Sequence, residues 1–249
     1  MLFTAQEHWL EQLRTDGFVR LALHDDTHRQ LVQRVLQHTS GFSSFRFPPI
    51  EGEVKYTPDI RSVFALLYSI SRRVLMEVLQ SLSNSPEVLR LTRCLNRSEN
   101  EVLFVDSHAP FCGDEDFSGT FFNLFHYDHG CLNTHKDRYL ITVVAILPAQ
   151  SLESESEELQ HSALWVRSSK GQWQNVDTIV QEGEIVVFVG EEIQRIGSEV
   201  GEKFQACDHC IRVDPEGEYI PHSHHQRDPQ SLSVGNRCSI ALVLGEKDG

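Results

Sequence analysis

The stretch that decides the predicted fold and chemistry is HKDRYLITVVAIL, residues 135–147. On extended backbone, side chains two positions apart point to the same side, so His135 and Asp137 can bind one metal ion together. They leave several coordination positions free, and a third protein ligand would complete one face of the ion. Two histidines and one carboxylate form such a set for Fe(II). The apolar run that follows predicts a buried β-strand that holds this site rigidly.

His209 is the predicted third ligand. It opens the strand candidate 209–213, and a later strand that returns beside residues 135–137 would bring its ring to the same ion. A neutral imidazole nitrogen suits iron, while a carboxylate adds charge and hardness. The sequence therefore predicts a metal centre formed by His135, Asp137 and His209.

A second His-x-Asp pair, His126 and Asp128, competes with this assignment. It lies in a turn-like segment that ends at Gly130, whereas His135 and Asp137 lead directly into a long β run. We therefore prefer the later pair. The earlier pair is interpreted as groups that orient a ligand, or simply as solvated side chains.

The chain divides into a helical N-terminal part and a β-rich remainder. Apart from a strand candidate at 18–23, the apolar residues before residue 99 follow helical spacing, and Thr4 to Glu7 has the pattern of a helix capping box. From Glu101 the period changes to two. The strand candidates are 101–105, 120–127, 139–147, 163–166, 173–176, 185–189, 209–213 and 238–244.

Eight short strands with helices gathered at the N-terminus predict a mainly β fold with a double-stranded β-helix (jelly-roll) core. We expect a single domain over residues 1–249, in which a helical N-terminal part, 1–98, packs on the jelly-roll core, 99–249. An acidic loop, 148–161, and a histidine-bearing loop, 214–234, connect strands of this core.

The composition is that of an ordinary globular protein, with 40 % hydrophobic and 23 % charged residues. The formal net charge of −14 argues against nucleic acid or an anionic membrane surface as a partner. No apolar run reaches about 18 residues, and no export signal opens the chain. We therefore expect a cytoplasmic protein that does not contact a membrane.

The six cysteines are too sparse for a disulfide framework, so reduced thiols are expected. Cys207 and Cys210 flank the predicted ligand as a CxxC pair, which keeps a zinc or redox site open as an alternative. A zinc site would need a further close pair of ligands. We interpret both thiols as buried and inert, and expect them, with Cys238, to point away from the metal.

Arg237 and Ser239 are predicted to bind the carboxylate of a second ligand near the metal ion, and we call this pair the co-substrate clamp. They lead into the apolar run 240–244 and would share one face of a strand. A guanidinium beside a hydroxyl can bind a carboxylate through charge-assisted hydrogen bonds. This assignment is supported by the occurrence of the clamp in the same chain as the predicted histidine and aspartate ligands.

Taken in order, these motifs resemble the Fe(II)- and 2-oxoglutarate-dependent dioxygenases, most closely the isopenicillin N synthase-like branch. The similarity extends over about residues 10–245. The matching elements along the chain are Asp16-Gly17-Phe18-Val19, His135-x-Asp137, Leu164-Trp-Val, Gly171-x-Trp173-x-x-Val176, Gly183-Glu-Ile-Val-Val-Phe188, Gly190, Gln194, His209 and Arg237-x-Ser239.

The resemblance implies that the metal triad binds Fe(II) as the catalytic centre and that 2-oxoglutarate is the co-substrate, its far carboxylate held by Arg237 and Ser239. The family often has Asn-x-Tyr ahead of the metal motif. Here Asn123 is present, but Phe125 stands in place of the tyrosine, so Tyr127 is the candidate to supply that contact. The sequence between the third metal ligand and the arginine is also longer than usual in the family.

The activity that the resemblance implies is oxidation of a small organic substrate by hydroxylation, with consumption of O2 and release of succinate and CO2. A protein side chain is the alternative substrate. Two other classes stay open: a catalytically silent jelly-roll scaffold that binds a partner, and a metal-binding interaction protein of the zinc or cupin type without a co-substrate. The sequence identifies neither the substrate nor the oligomeric state.

Overall fold

Two antiparallel β-sheets, with helices packed on the larger one, form the fold. The computed structural model describes residues 2–5, 7–38, 43–46, 57–98, 117, 120–127, 132–147, 163–212, 215–216 and 237–245. Within this part of the chain, the architecture confirms the predicted fold class of a mainly β protein with N-terminal helices and a jelly-roll core.

The three longest described helices all precede residue 99, and they are α2 (Asp26–His38), α3 (Pro58–Gln80) and α4 (Pro86–Ser98). Of these, α2 and α3 pack on the larger sheet. Helix α3 begins after Thr57, whose hydroxyl accepts a hydrogen bond from the amide of Ile60 at 3.2 Å. Its apolar face packs on the sheet, where the rings of Phe64 and Phe122 meet edge to face, 5.5 Å apart. The helices are α1 (Trp9–Asp16), α2 (Asp26–His38), α3 (Pro58–Gln80), α4 (Pro86–Ser98), α5 (Val176–Ile179) and α6 (Glu191–Glu199).

The strands pair into a larger sheet of order β1-β2-β9-β6-β11-β4-β3 and a smaller sheet of order β5-β10-β7-β8. The strands are β1 (Phe3–Thr4), β2 (Phe18–Leu23), β3 (Ser43–Arg46), β4 (Phe121–Tyr127), β5 (Leu132–His135), β6 (Ile141–Leu147), β7 (Ala163–Arg167), β8 (Trp173–Asn175), β9 (Glu184–Val189), β10 (His209–Arg212) and β11 (Arg237–Leu244).

Strand β6 lies in the middle of the larger sheet and is covered on both sides. Ile141, Val143 and Ala145 pack towards the helices, whereas Val144 and Ile146 pack between the two sheets. Burial of both faces explains why this segment is an almost unbroken apolar run rather than an alternation of apolar and polar residues.

The pairing of β5 with β10 contains a register shift of the β-bulge type. His209 pairs with His135 and Ile211 pairs with Leu132, so a step of three residues on β5 corresponds to a step of two on β10. Because one residue is extra, Leu132 and His135 both line the space between the sheets although they are three positions apart.

Three local expectations differ from the structure or are not covered by it. The strand candidate 101–105 lies outside the described residues, and β5 is a strand that the sequence pattern did not indicate. The capping box at Thr4 to Glu7 was wrong, because Thr4 of β1 pairs with Ala22 and the first helix begins only at Trp9.

Among the described helices, none combines the length and the apolar composition needed to cross a bilayer.

Candidate metal centre

The structure brings His135, Asp137 and His209 together at one end of the space between the two sheets. Nε2 of His135 and Nε2 of His209 each lie 3.7 Å from Oδ1 of Asp137. The three ligand atoms lie within 4.8 Å of one another. This spacing suits a single metal ion placed between the three atoms. Two metal–ligand bonds of about 2 Å, one on each side of the ion, span a distance of this size.

The sequence pattern suggested that His135 and Asp137 share one strand, but the structure places only His135 in a strand. His135 is the last residue of β5, and Asp137 lies in the connection of residues 136–140 that leads to β6. The two side chains therefore belong to a strand end and to the connection that follows it. His135 and His209 meet across the sheet as Cα partners in the β5–β10 ladder.

Backbone carbonyls fix the orientation of both imidazole rings. Nδ1–H of His135 donates to the carbonyl of Asn133 at 2.8 Å, and Nδ1–H of His209 donates to the carbonyl of Cys207 at 3.1 Å. A carbonyl oxygen only accepts hydrogen bonds, so in each ring the proton is on Nδ1 and the lone pair of Nε2 is free for a metal ion. Arg212 adds support by donating to the side-chain oxygen of Asn133 at 2.8 Å.

Burial gives the triad the electrostatics of a metal site. Desolvation lowers the pKa of His209, with the nearby charge of Asp137 acting in the opposite direction, so the ring is neutral near pH 7. Oδ2 of Asp137 is buried and has no hydrogen-bond partner among the described residues. A cation bound between the rings would compensate this carboxylate, so the donor set fits a divalent first-row metal.

The turn that carries Asp137 is held by the start of helix α6. The amide of Glu191 donates to the carbonyl of Asp137 at 2.7 Å, and the amide of Gly190 donates to the carbonyl of Leu140 at 3.0 Å. A Cβ atom on Gly190 would overlap the carbonyl oxygen of Tyr139 and lie 3.1 Å from that of Asp137. Only glycine allows the helix start to approach the turn this closely.

A cavity of about 210 Å³ opens beside the triad, between the two sheets. Of the residues predicted to bind the co-substrate, Asn123 and Ser239 line it. Arg237 and Tyr127 are Cα partners in the β11–β4 ladder, two positions beyond Ser239, and their side chains lie outside the described part. The lining residues are Phe121, Asn123, Leu132, His135, Asp137, Thr142, Val144, Leu164, Phe188, His209, Ile211, Ser239, Ala241 and Val243.

Phe188 and Thr142 are two lining residues to which the sequence analysis gave no role in the site. The ring of Phe188 stacks on the ring of His209, with centroids 5.0 Å apart and an interplanar angle of 21°. Thr142 is buried on the cavity side of β6, and its hydroxyl has no hydrogen-bond partner among the described residues. The signal that could have indicated Thr142 is its position as the one aliphatic hydroxyl in the apolar run 139–147.

The CxxC pair does not form part of this centre. Neither Cys207 nor Cys210 lines the cavity, as expected for thiols that point away from the metal. In the described part of the chain, the triad is the only group of three or more histidine, cysteine or carboxylate residues spaced to hold an ion. Asp128 and residues 222–225 lie outside the described part, as do the side chains of His126 and Cys238.

We expect Cys207 to be unreactive in the folded protein. Burial raises the pKa of its thiol to about 12, so almost no thiolate is present at pH 8, whereas a redox-active CxxC needs a lowered thiol pKa. Treatment with iodoacetamide at pH 8, followed by peptide mass spectrometry, should leave Cys207 unmodified until the protein is unfolded in urea. Rapid modification of the native protein would contradict the assignment as an inert thiol.

The comparisons with known proteins agree with this architecture. No protein-family model matches the sequence, and no curated protein matches it. Among solved structures, the apo form of a C-terminally truncated protein from Neurospora crassa matches with a TM-score of 0.53 and 13% sequence identity, over 96% of this chain and 86% of that chain.

Two further matches have lower scores. The full-length form of the same Neurospora crassa protein, in complex with alpha-KG, matches with a TM-score of 0.49 and 14% identity, over 97% of this chain and 79% of that chain. A prolyl-4-hydroxylase from Pseudomonas putida matches with a TM-score of 0.43 and 11% identity, over 96% and 97% of the two chains. At such identities the likeness concerns the fold alone. By fold, this chain is a jelly-roll protein similar to the Neurospora crassa protein of the first match.

Proposed function

We propose that this chain is an Fe(II)- and 2-oxoglutarate-dependent dioxygenase that hydroxylates a small organic substrate, with release of succinate and CO2. The observation that carries the proposal is the triad of His135, Asp137 and His209 at the end of a cavity between the sheets, with both Nε2 atoms free and 3.7 Å from the carboxylate. Two histidines and one carboxylate with open positions are typical of this class.

The triad would hold the metal, and further positions on the ion would remain available, because three groups of the described part of the chain are placed to bind it. Bound Fe(II) would supply the activation of O2 that couples decarboxylation of 2-oxoglutarate to oxidation of the substrate. The protein's own part is to orient the metal ligands through the carbonyls of Asn133 and Cys207 and to keep the reacting groups away from water.

The far carboxylate of 2-oxoglutarate would be bound at the other end of the cavity. Ser239 is buried there, and the backbone of Arg237 lies two positions away on the same strand. Asn123 and Tyr127 on the neighbouring strand β4 are proposed as further co-substrate contacts. The guanidinium would provide the charge-assisted hydrogen bonds that recognise a carboxylate.

The rest of the cavity favours a largely apolar substrate of modest size. Its other lining groups are aromatic and aliphatic side chains such as Phe121, Phe188 and Leu164.

The Neurospora crassa protein whose apo structure shares the fold has also been crystallised with alpha-KG, which is in line with the co-substrate proposed here. Membership of the isopenicillin N synthase-like branch and a cytoplasmic location stay predictions from the sequence.

An anaerobic titration of the Fe(II)-loaded protein with 2-oxoglutarate tests the proposal. We expect the weak visible charge-transfer band of an Fe(II)–2-oxoglutarate chelate in the wild-type protein and none in His135→Ala. Arg237→Ala should keep the band but need roughly ten- to a hundredfold more 2-oxoglutarate, because a hydrogen bond to a charged group contributes about 1.5–3 kcal/mol. Arg73→Ala, at an exposed arginine of α3, is the matched control and should titrate like the wild type.

Absence of the band from wild-type protein that contains Fe(II) would refute the dioxygenase proposal. A catalytically silent scaffold, or a metal-binding interaction protein without co-substrate, would then be the better description. An unchanged titration of Arg237→Ala, with the band present, would leave the metal centre in place and remove Arg237 from the proposed clamp.

A further inference from the structure

Thr142 carries a buried hydroxyl that the fold leaves without a partner among the described residues. It lies in β6 between apolar neighbours and is 4 % exposed. Its Oγ1 forms no hydrogen bond with any described residue, and the residue lines the cavity. Because an unpaired buried hydroxyl destabilises a folded protein, its presence in a strand that is otherwise apolar on both faces points to a ligand in the cavity.

The strand register places Thr142 at the metal end of that cavity. Thr142 pairs with Phe188 on β9, and the ring of Phe188 stacks on the metal-binding ring of His209. On its other side Thr142 pairs with Val243 on β11, four residues from Ser239. Four residues correspond to roughly 13 Å of strand, so Thr142 and Ser239 lie at different positions along the cavity.

We infer that the Thr142 hydroxyl donates a hydrogen bond to a carboxylate of an oxo acid, at the end of the acid that binds the metal ion. This inference rests on the proposed function, in which that acid is 2-oxoglutarate. A carboxylate only accepts hydrogen bonds, and the Thr142 hydroxyl is a donor that the described part of the protein does not use. Thr142 therefore binds the end of the acid that lies at the metal ion, whereas Ser239 binds the opposite end, which we call the distal end.

Three variants and two ligands test this assignment by calorimetry on the Mn(II)-loaded protein. Thr142→Val keeps the shape of the side chain and removes the hydroxyl, Thr142→Ser keeps the hydroxyl, and Ser239→Ala alters the distal end. The ligands are 2-oxoglutarate and oxalate, a short chelating acid that cannot reach the distal end. Melting of the metal-free proteins provides a reading that does not depend on any ligand.

We expect Thr142→Val to weaken the binding of both acids by a similar factor of roughly ten, which corresponds to about 1.4 kcal/mol of binding free energy. Thr142→Ser should retain most of the wild-type affinity for both acids. Ser239→Ala should lower the affinity for 2-oxoglutarate and leave the affinity for oxalate unchanged. Metal-free Thr142→Val should melt at a higher temperature than the wild type, because a methyl group replaces an unpaired hydroxyl.

Wild-type affinity of Thr142→Val for both acids would overturn the inference, as would a loss confined to 2-oxoglutarate, which would put the hydroxyl at the distal end. A lower melting temperature with weaker Mn(II) binding would assign Thr142 to packing and would also overturn it. If the wild type binds oxalate but not 2-oxoglutarate, the proposed function fails, while an oxalate loss in Thr142→Val would still support the inference.

Discussion

Alanine in place of His209 is expected to abolish Fe(II) binding and to reduce 2-oxoglutarate-dependent O2 consumption to background. In the proposed metal centre His209 is one of three protein ligands, and its ring is buried against Phe188. The remaining pair, His135 and Asp137, would hold a metal ion on two bonds only. Metal content after desalting and O2 uptake in the presence of 2-oxoglutarate are the measurements.

Removal of a buried ring also affects packing, so a second variant is needed. Asp137→Asn keeps the size of the side chain and removes the charge that a divalent ion requires, and it should lose Fe(II) while melting near the wild-type temperature. His24→Ala, at an exposed histidine beyond β2, is the matched control and should retain iron. Stoichiometric Fe(II) in both His209→Ala and Asp137→Asn would show that the triad is not the metal centre.

Gly190→Ala is expected to damage the same centre without replacing any of the three proposed ligands. The new Cβ atom would overlap the carbonyl oxygen of Tyr139 and lie 2.6 Å from its carbonyl carbon, so the turn that carries Asp137 has to move. Overpacking of this kind costs about 3 kcal/mol at the upper end of its usual range. For a chain of this size, that lowers the melting temperature by roughly 6–12 °C. The affinity for Fe(II) should fall with it, because Asp137 shifts relative to the two rings.

Gly201→Ala separates this local effect from a general loss of stability. Gly201 has a φ of +81°, so alanine there is strained, but nothing lies within 4 Å of the new Cβ atom. We expect a cost of about 1–2 kcal/mol and unchanged affinity for Fe(II). Calorimetric titration with Fe(II) under anaerobic conditions compares the two variants. Equal metal affinity in both would mean that Gly190 serves the fold and not the position of Asp137.

The sequence predicted the parts of the fold that depend on burial pattern. The run 139–147 is apolar because β6 is covered on both faces, and that property is visible without coordinates. His209 was predicted as a ligand because it opens a strand that had to return beside His135, and the structure pairs the two residues. The first prediction uses only the local apolar pattern, and the second adds the ligand chemistry of iron.

Features that depend on contacts between distant segments could not be predicted. The register shift in β5 follows from its pairing with β10, and the turn of Asp137 follows from the close approach of Gly190. The local pattern at Thr4 indicated a helix cap, but pairing with Ala22 drew this residue into a strand. In each case an interaction across the fold overrode the local preference.

The register shift in β5 also bears on how the protein avoids self-association. Among the described strands of the smaller sheet, β5 is an outer strand, and it carries the exposed residues 132–134 beside His135. An open outer strand offers unpaired backbone groups to a second chain, and long regular edges promote aggregation. A strand of four residues with a bulge is a poor template for such pairing. The irregularity that brings His135 towards Asp137 and His209 therefore also makes this edge a poor template for pairing.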